Sequence, residues 1–305
     1  MTDKPATIRL GFWDEAAKLL SDPLWICVAA VLVALIALAA IRLAGRKRRK
    51  GARPLPAIAN IHGIGKRDSQ QDAFAVSSFS DDRLCAEKGV LAVLADGMGG
   101  LSHGAEISRI VVKTMMEGFA DCSRLSETPQ EELMGLVRLA DQKVAGFLAE
   151  HAVERGGSTL IAVLIKDGQM DYISVGDSRL CLVRDGAIST LNKVHTYGAE
   201  LDELAKKGIY PQEYAAFHPN RGALTSFIGI KDLKKIDASE SSINLQKGDR
   251  LILMSDGVFN TLGDEEILSC MKQDVYVSAQ CLDQLMLDHN DEEQDNYTAI
   301  LIEHP

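Results

Sequence analysis

The sequence predicts an α+β fold, an antiparallel-rich sandwich of strands and helices, preceded by one transmembrane helix. Three observations carry this expectation. Short apolar runs that stop at Asp or Gly recur through the chain, helical periodicities fall in clusters between them, and a long uncharged stretch precedes them all. Strands in clusters with pairs of helices between them suit a sandwich better than a doubly wound sheet.

The elements follow in order. Residues 1–22 form a short tail with an amphipathic stretch. From Leu24 to Ile41 no charged or strongly polar residue occurs. As a helix this run would span about 27 Å, close to the hydrocarbon thickness of a bilayer. It is apolar all round, unlike an amphipathic core helix, and we expect a transmembrane helix over residues 23–44. A cleavable signal peptide is the alternative, since Ala37-Leu38-Ala39 imitates a cleavage site. The basic residues Arg42, Arg46, Lys47, Arg48, Arg49, Lys50 and Arg53 follow at once, which resists translocation and places the rest of the chain on the cytoplasmic side. Residues 45–56 read as a basic juxtamembrane linker, stiffened by Pro54 and Pro56.

Charge divides the chain the same way. The 305 residues carry a formal net charge of −10, but residues 1–55 hold ten Lys/Arg against four Asp/Glu, so the remainder is strongly acidic. Such a domain repels nucleic-acid phosphates and is expected to bind no nucleic acid. Six cysteines occur without a C-x-x-C pair or a histidine at zinc spacing, and the expectation is reduced thiols in a cytosolic compartment.

Beyond residue 56 the runs Gly89–Ala95, Asp171–Val175 and Arg250–Ser255 reach Asp96-Gly97, Gly176-Asp177 and Asp256-Gly257 respectively. Asp295-Asn296 precedes Tyr297–Ile302, and Asp72 precedes Ala73–Val76. Asp185-Gly186 signals a hairpin. Helical patterns lie at about 104–120, 129–152, 199–208 and 264–290. One Asp-Gly after a strand is usually a turn. Five carboxylates brought to one edge are different, because like charges that close repel strongly unless cations neutralise them. Oxygen ligands suit hard divalent ions, Mg²⁺ or Mn²⁺. Two such ions about 3.5–4 Å apart activate water and clamp a phosphoryl group. Arg67 supplies a cationic fork for a phosphate.

Taken in order, Arg67-Asp-Ser-Gln-Gln-Asp72, Asp96-Gly-Met-Gly-Gly100, Gly157-Ser-Thr159, Gly176-Asp-Ser-Arg179, Gly248–Gly257 and Asp295-Asn-Tyr-Thr298 resemble the motifs of the metal-dependent protein serine/threonine phosphatases of type 2C, in their bacterial form. The resemblance spans about residues 59–303 and makes residues 57–305 a type 2C phosphatase domain. It implies a four-layer αββα sandwich, two antiparallel sheets flanked by helix pairs. It also implies hydrolysis of phosphoserine and phosphothreonine in proteins by a metal-bound hydroxide. Asp96 would bridge two ions with the Gly97 carbonyl as a further ligand, Asp72 would serve one ion, and Asp256 and Asp295 the other. Asp177 with Asp256 would hold a third, weaker ion, and Arg67 would grip the substrate phosphate. A serine/threonine kinase would oppose the enzyme, which would sit in a cell inner membrane, single-pass, its catalytic domain cytoplasmic. Departures fall at Gln70, where Asn is usual, at Gln71, where many members have Glu, and at Met98, which leaves the proton donor to the leaving group unassigned; His103 nearby reads as structural. Val194-His195-Thr196 and Leu224–Gly229 also drift, flanking residues 197–223, the segment that corresponds to the family's mobile flap. A catalytically weak phosphoprotein-binding module and a hydrolase of small phosphate esters are the rival expectations.

Overall fold

The structure is a computed structural model that describes residues 55–77, 88–98, 100–121, 128–289 and 291–305. The expected tail, transmembrane helix and most of the basic linker lie outside the described residues, as do Cys27, Cys85 and Cys122. Among the described residues no helix is long and apolar enough to cross a membrane.

Two antiparallel sheets face each other. One has the order β1 (Ala57–Gly63), β12 (Tyr297–Glu303), β11 (Arg250–Met254), β7 (Arg179–Arg184) and β8 (Ala187–Thr190). The other runs β10 (Ile243–Asn244), β6 (Gln169–Val175), β5 (Leu160–Lys166), β3 (Val90–Met98) and β2 (Asp72–Val76), with β4 (Gly157–Ser158) against β3 and β9 (Asp237–Ala238) against β6. Their central strands are apolar at nearly every position because both faces are buried. In β3, Ala92 and Leu94 point between the sheets while Leu91, Val93 and Ala95 point away; β5 alternates likewise, with Ile161 and Val163 inward and Leu160, Ala162 and Leu164 outward. Leu251, Leu253, Ile300 and Ile302 answer from the facing sheet.

The outward face of the β3–β5 sheet is covered by α1 (Gly100–Ala120) and α2 (Pro129–Glu150), through Ile107, Val111, Met115, Leu133, Val137 and Val144. Helix α2 starts where Thr128 Oγ1 accepts the Glu131 N–H at 3.2 Å and Pro129 opens the first turn. The opposite layer departs from a simple helix pair. The single helix expected over 264–290 is two, α6 (Asp264–Cys270) and α7 (Val275–His289), joined to the short α5 (Asp256–Thr261). The break is built into residues 271–274: Asp274 caps the new helix by accepting the Tyr276 and Val277 N–H groups, and the Arg250 guanidinium donates to the Met271 and Gln273 carbonyls.

That turn corrects the expectation of uniformly reduced thiols. It folds α7 back until the Cα atoms of Cys270 and Cys281 stand 5.5 Å apart, within bridging distance, and the two are joined as a disulfide. Cys181 is a buried free thiol.

Strand β3 outlasts the apolar run that marks it. It continues through Met98, because Asp96 pairs with Asp72 of β2 and Gly97 with Ser158 of β4. Between β8 and β9, α3 (Tyr197–Lys206) and the one-turn α4 (Gln212–Ala216) occupy the expected flap, closed at its base by the Thr196–Leu224 bridge.

Candidate metal centre

Strand alternation delivers the acidic residues to one end of the sandwich. Asp96 shares a face with Ala92 and Leu94, and Asp72 with Phe74 and Val76, so both look into the space between the sheets. They sit directly opposite in the β2–β3 register, a pairing of like charges that a strand ladder by itself disfavours. From the other sheet, Asp256 opens α5 one residue after Ser255 at the end of β11, and Asp295 stands just before β12. Asp177 lies in the turn between β6 and β7, where Gly176 takes a φ of +104°.

The electrostatics show that these groups sense one another. Burial, then Asp72, Asp256, Asp177 and Asp295, push the Asp96 carboxyl well above its ordinary value. Burial pushes Asp72 up to about 6, against hydrogen bonds from Thr298 and Ser255, and Asp256 and Asp295 add to the rise. Asp177 is pushed up to about 6 by burial and then by Asp256, and Asp256 is raised by burial and then by Asp295. Arg67 and Arg179 act against the rise at Asp256 and Asp177, but burial and the neighbouring carboxylates outweigh them.

Among the described residues no three His, Cys, Asp or Glu groups are drawn into a closed ligand shell. The carboxylates nonetheless stand near enough to raise one another's pKa values. A donor set made of carboxylate oxygens fits hard divalent ions that keep several waters. A further mark of fit is Asp72 Oδ1, which is buried and without a hydrogen-bond partner, while Oδ2 accepts from Thr298 Oγ1 at 2.6 Å and from Ser255 Oγ at 2.8 Å.

Backbone approaches hold the frame. A Cβ on Gly97 would meet the Gly104 carbonyl oxygen at 2.0 Å, and one on Gly257 would meet the Asn296 carbonyl oxygen at 2.0 Å, so only glycine lets α1 and α5 start this close to the strands. Gln70 spans the turn before β2: its amide nitrogen donates to the Gly63 carbonyl at 2.8 Å and its oxygen accepts the Asp72 N–H at 3.0 Å. The longer amide therefore holds this turn. Asn296 ties the two acidic ends together, accepting the Gln71 N–H and donating to the Ile64 carbonyl, both at 2.8 Å.

Arg67 reaches the cluster by an ion pair with Asp295, Nη2 to Oδ2 at 2.6 Å. The guanidinium is 57% exposed, so it faces solvent at the mouth of the site. His103 lies apart in contact with Glu106, Phe147 and His151. His195 accepts the Gly176 N–H on Nδ1 at 3.1 Å, and burial lowers its pKa, which keeps it neutral and bracing the Asp177 turn. Sequence reasoning missed Ser255, Thr298 and His62, which support Asp72. The first two stand inside the motif segments, and the third carried no signal.

A sequence model of the family described as Protein phosphatase 2C matches residues 63–294. Protein phosphatase PhpP of Streptococcus pneumoniae is 29% identical over 214 residues, 70% of this chain and 85% of that protein. Serine/threonine protein phosphatase PstP of Mycobacterium tuberculosis is 28% identical over 221 residues, 72% of this chain and 41% of that one. Among solved structures, the Streptococcus agalactiae serine/threonine phosphatase superimposes with a TM-score of 0.70 at 26% identity, over 82% of this chain and all of that one. The catalytic domain of PstP, solved in complex with two manganese ions, shares the fold at a TM-score of 0.65 and 24% identity, over 82% of this chain and 98% of that one. A family match over most of the chain, on a fold shared with a solved serine/threonine phosphatase, shows that the chain belongs to the protein phosphatase 2C family of serine/threonine phosphatases.

Proposed function

We propose that this chain hydrolyses phosphoserine and phosphothreonine in proteins at a centre of two Mn²⁺ or Mg²⁺ ions, opposing a serine/threonine kinase at the cytoplasmic face of a membrane. The observation that carries the reading is the convergence of Asp72, Asp96, Asp177, Asp256 and Asp295 on one end of the sandwich, each raised or raising its neighbours. Asp72, Asp96 with the Gly97 carbonyl, Asp256 and Asp295 would hold the two ions, and Asp177 with Asp256 a third. Bound there, the ions would supply an activated water and neutralise charge on the phosphoryl group. The chain's own contribution is placement. Asp72 is fixed by two hydroxyls, and Asp256 opens a helix whose first turn starts against Asn296. Arg67 offers an exposed planar fork that suits two phosphate oxygens. Met98 has no proton to give a leaving group, so that proton comes from another source.

With Mn²⁺ the full-length chain in mild detergent should dephosphorylate a phosphothreonine peptide. EDTA, or Asp256→Asn, should each reduce the rate at least about 100-fold. Turnover that persists under both treatments would overturn the two-ion reading. Tight peptide binding without turnover would instead mark a binding module.

The membrane tether rests on the apolar run at 23–44 and the basic residues after it. Protease added outside intact spheroplasts should spare the domain from residue 57 onward. Its digestion there would reverse the orientation.

A further inference from the structure

Asp72 is held by a chain of hydrogen bonds that begins on the opposite sheet. His62 of β1 faces Thr298 of β12 in register, and its Nδ1 lies 2.9 Å from Thr298 Oγ1. Thr298 Oγ1 lies in turn 2.6 Å from Asp72 Oδ2. A hydroxyl has one proton, and ionised Asp72 only accepts, so Thr298 spends its proton on Asp72 and must accept from His62. The imidazole therefore carries its proton on Nδ1. Burial lowers the His62 pKa and favours the neutral ring, in which that tautomer is a definite choice.

A second hydroxyl converges on the same oxygen. Ser255 Oγ donates to Asp72 Oδ2 at 2.8 Å while accepting the Thr298 N–H at 2.9 Å, and the Ser255 N–H donates to the Thr298 carbonyl at 3.0 Å. The reciprocal pair locks the end of β11 to the start of β12. Asp72 Oδ1, by contrast, is buried with no partner at all. A buried carboxylate oxygen left bare beside one that receives two donors costs free energy unless a ligand meets it.

We propose that His62, Thr298 and Ser255 form a positioning relay that commits Asp72 Oδ2 to the protein and presents Oδ1 as a single-oxygen ligand to a divalent cation. This rests on reading the aspartate cluster as a metal centre. The relay fixes which oxygen faces the site, and its two donors temper the basicity of the carboxylate. Partners of this kind govern metal affinity about 10–100-fold in metalloproteins generally.

The test is Mn²⁺ binding to the full-length, EDTA-stripped chain, read from the electron paramagnetic resonance of free Mn²⁺. Thr298→Val keeps the side-chain shape and removes the donor, and should weaken binding about tenfold; Thr298→Ser should restore it to within about twofold. His62→Phe keeps a ring against Phe74, 5.2 Å away, and should weaken binding about two- to fivefold. In the wild-type chain, ¹⁵N NMR should find His62 protonated at Nδ1. Wild-type affinity in both Thr298→Val and His62→Phe, or a His62 protonated only at Nε2, would overturn the relay while leaving the metal centre standing. A wild-type chain that binds no Mn²⁺ would overturn both. Should Thr298→Val fail to fold, His62→Phe and the tautomer decide.

Discussion

Gly97 shows how little freedom the site leaves to single residues. Its N–H donates to the Gln71 carbonyl at 3.1 Å, and a Cβ would lie 2.0 Å from the oxygen and 2.5 Å from the carbon of the Gly104 carbonyl. Both neighbours are backbone and cannot swing aside. Gly97→Ala should therefore push α1 away from β3 and cost about 1–3 kcal/mol, measured by thermal unfolding in EDTA so that packing is separated from ion binding. An unchanged melting temperature would mean that the Gly104 turn yields freely. At this scale the acidic residues were legible in the sequence because each adjoins an apolar run, and repetition made turns an insufficient account of them. Ser255 and Thr298 occupied the same segments yet gave no sign of their task, since a hydroxyl's partner depends on a pairing between strands 183 and 226 residues from Asp72. Arg67 was legible as a cation near the site, but its ion pair with Asp295, 228 residues on, was not.

Elements were readable where local chemistry settles them. Asp185-Gly186 turns the β7–β8 hairpin with φ values of +52° and +76°, as the dipeptide demands. Asp167-Gly168 does the same between β5 and β6, with +54° and +76°. The run into Asp96 is shorter than its strand because apolarity ends where the interior ends, while the ladder goes on as long as partners exist; Asp72 and Ser158 extend it to Met98. The break between α6 and α7 was hidden for the opposite reason. Its residues are compatible with a helix, and only the Asp274 cap and the reach of Arg250 from a distant strand stop it. The Cys270–Cys281 pair depends on that break, so spacing could not show it. Four of the described exposed large apolar side chains cluster around α4, Ile209 and Tyr210 just before it, Tyr214 within it and Phe217 just after it, a concentration expected of a contact surface and not of a buried helix.

The molecule as a whole places several like charges at the end of a well-packed sandwich, and its stability should report that arrangement. Asp72 and Asp177 are held at about 6, and Asp96 and Asp256 are also raised, above an unfolded value near 3.8. Between those values the folded chain binds more protons than the unfolded one, so stability falls as pH rises through the window and the loss is complete above the folded pKa. His195 and His62 work the other way. Their folded pKa values are depressed, so their contribution is present above about 6.5 and is lost as pH falls. Four carboxylates outweigh two histidines, and the EDTA-stripped chain should melt about 3–8 °C higher at pH 5.5 than at pH 7.5. Saturating Mn²⁺ should invert the trend. At 100 times its dissociation constant an ion adds about 2.7 kcal/mol, fully at pH 7.5, where the carboxylates are free of protons, and less as protons compete below about 6. A stripped chain whose melting temperature is flat or rises from pH 5.5 to 7.5 would show that the carboxylates are too far apart to repel. The proposed ion centre would then lose the electrostatic strain that makes a divalent cation its natural occupant.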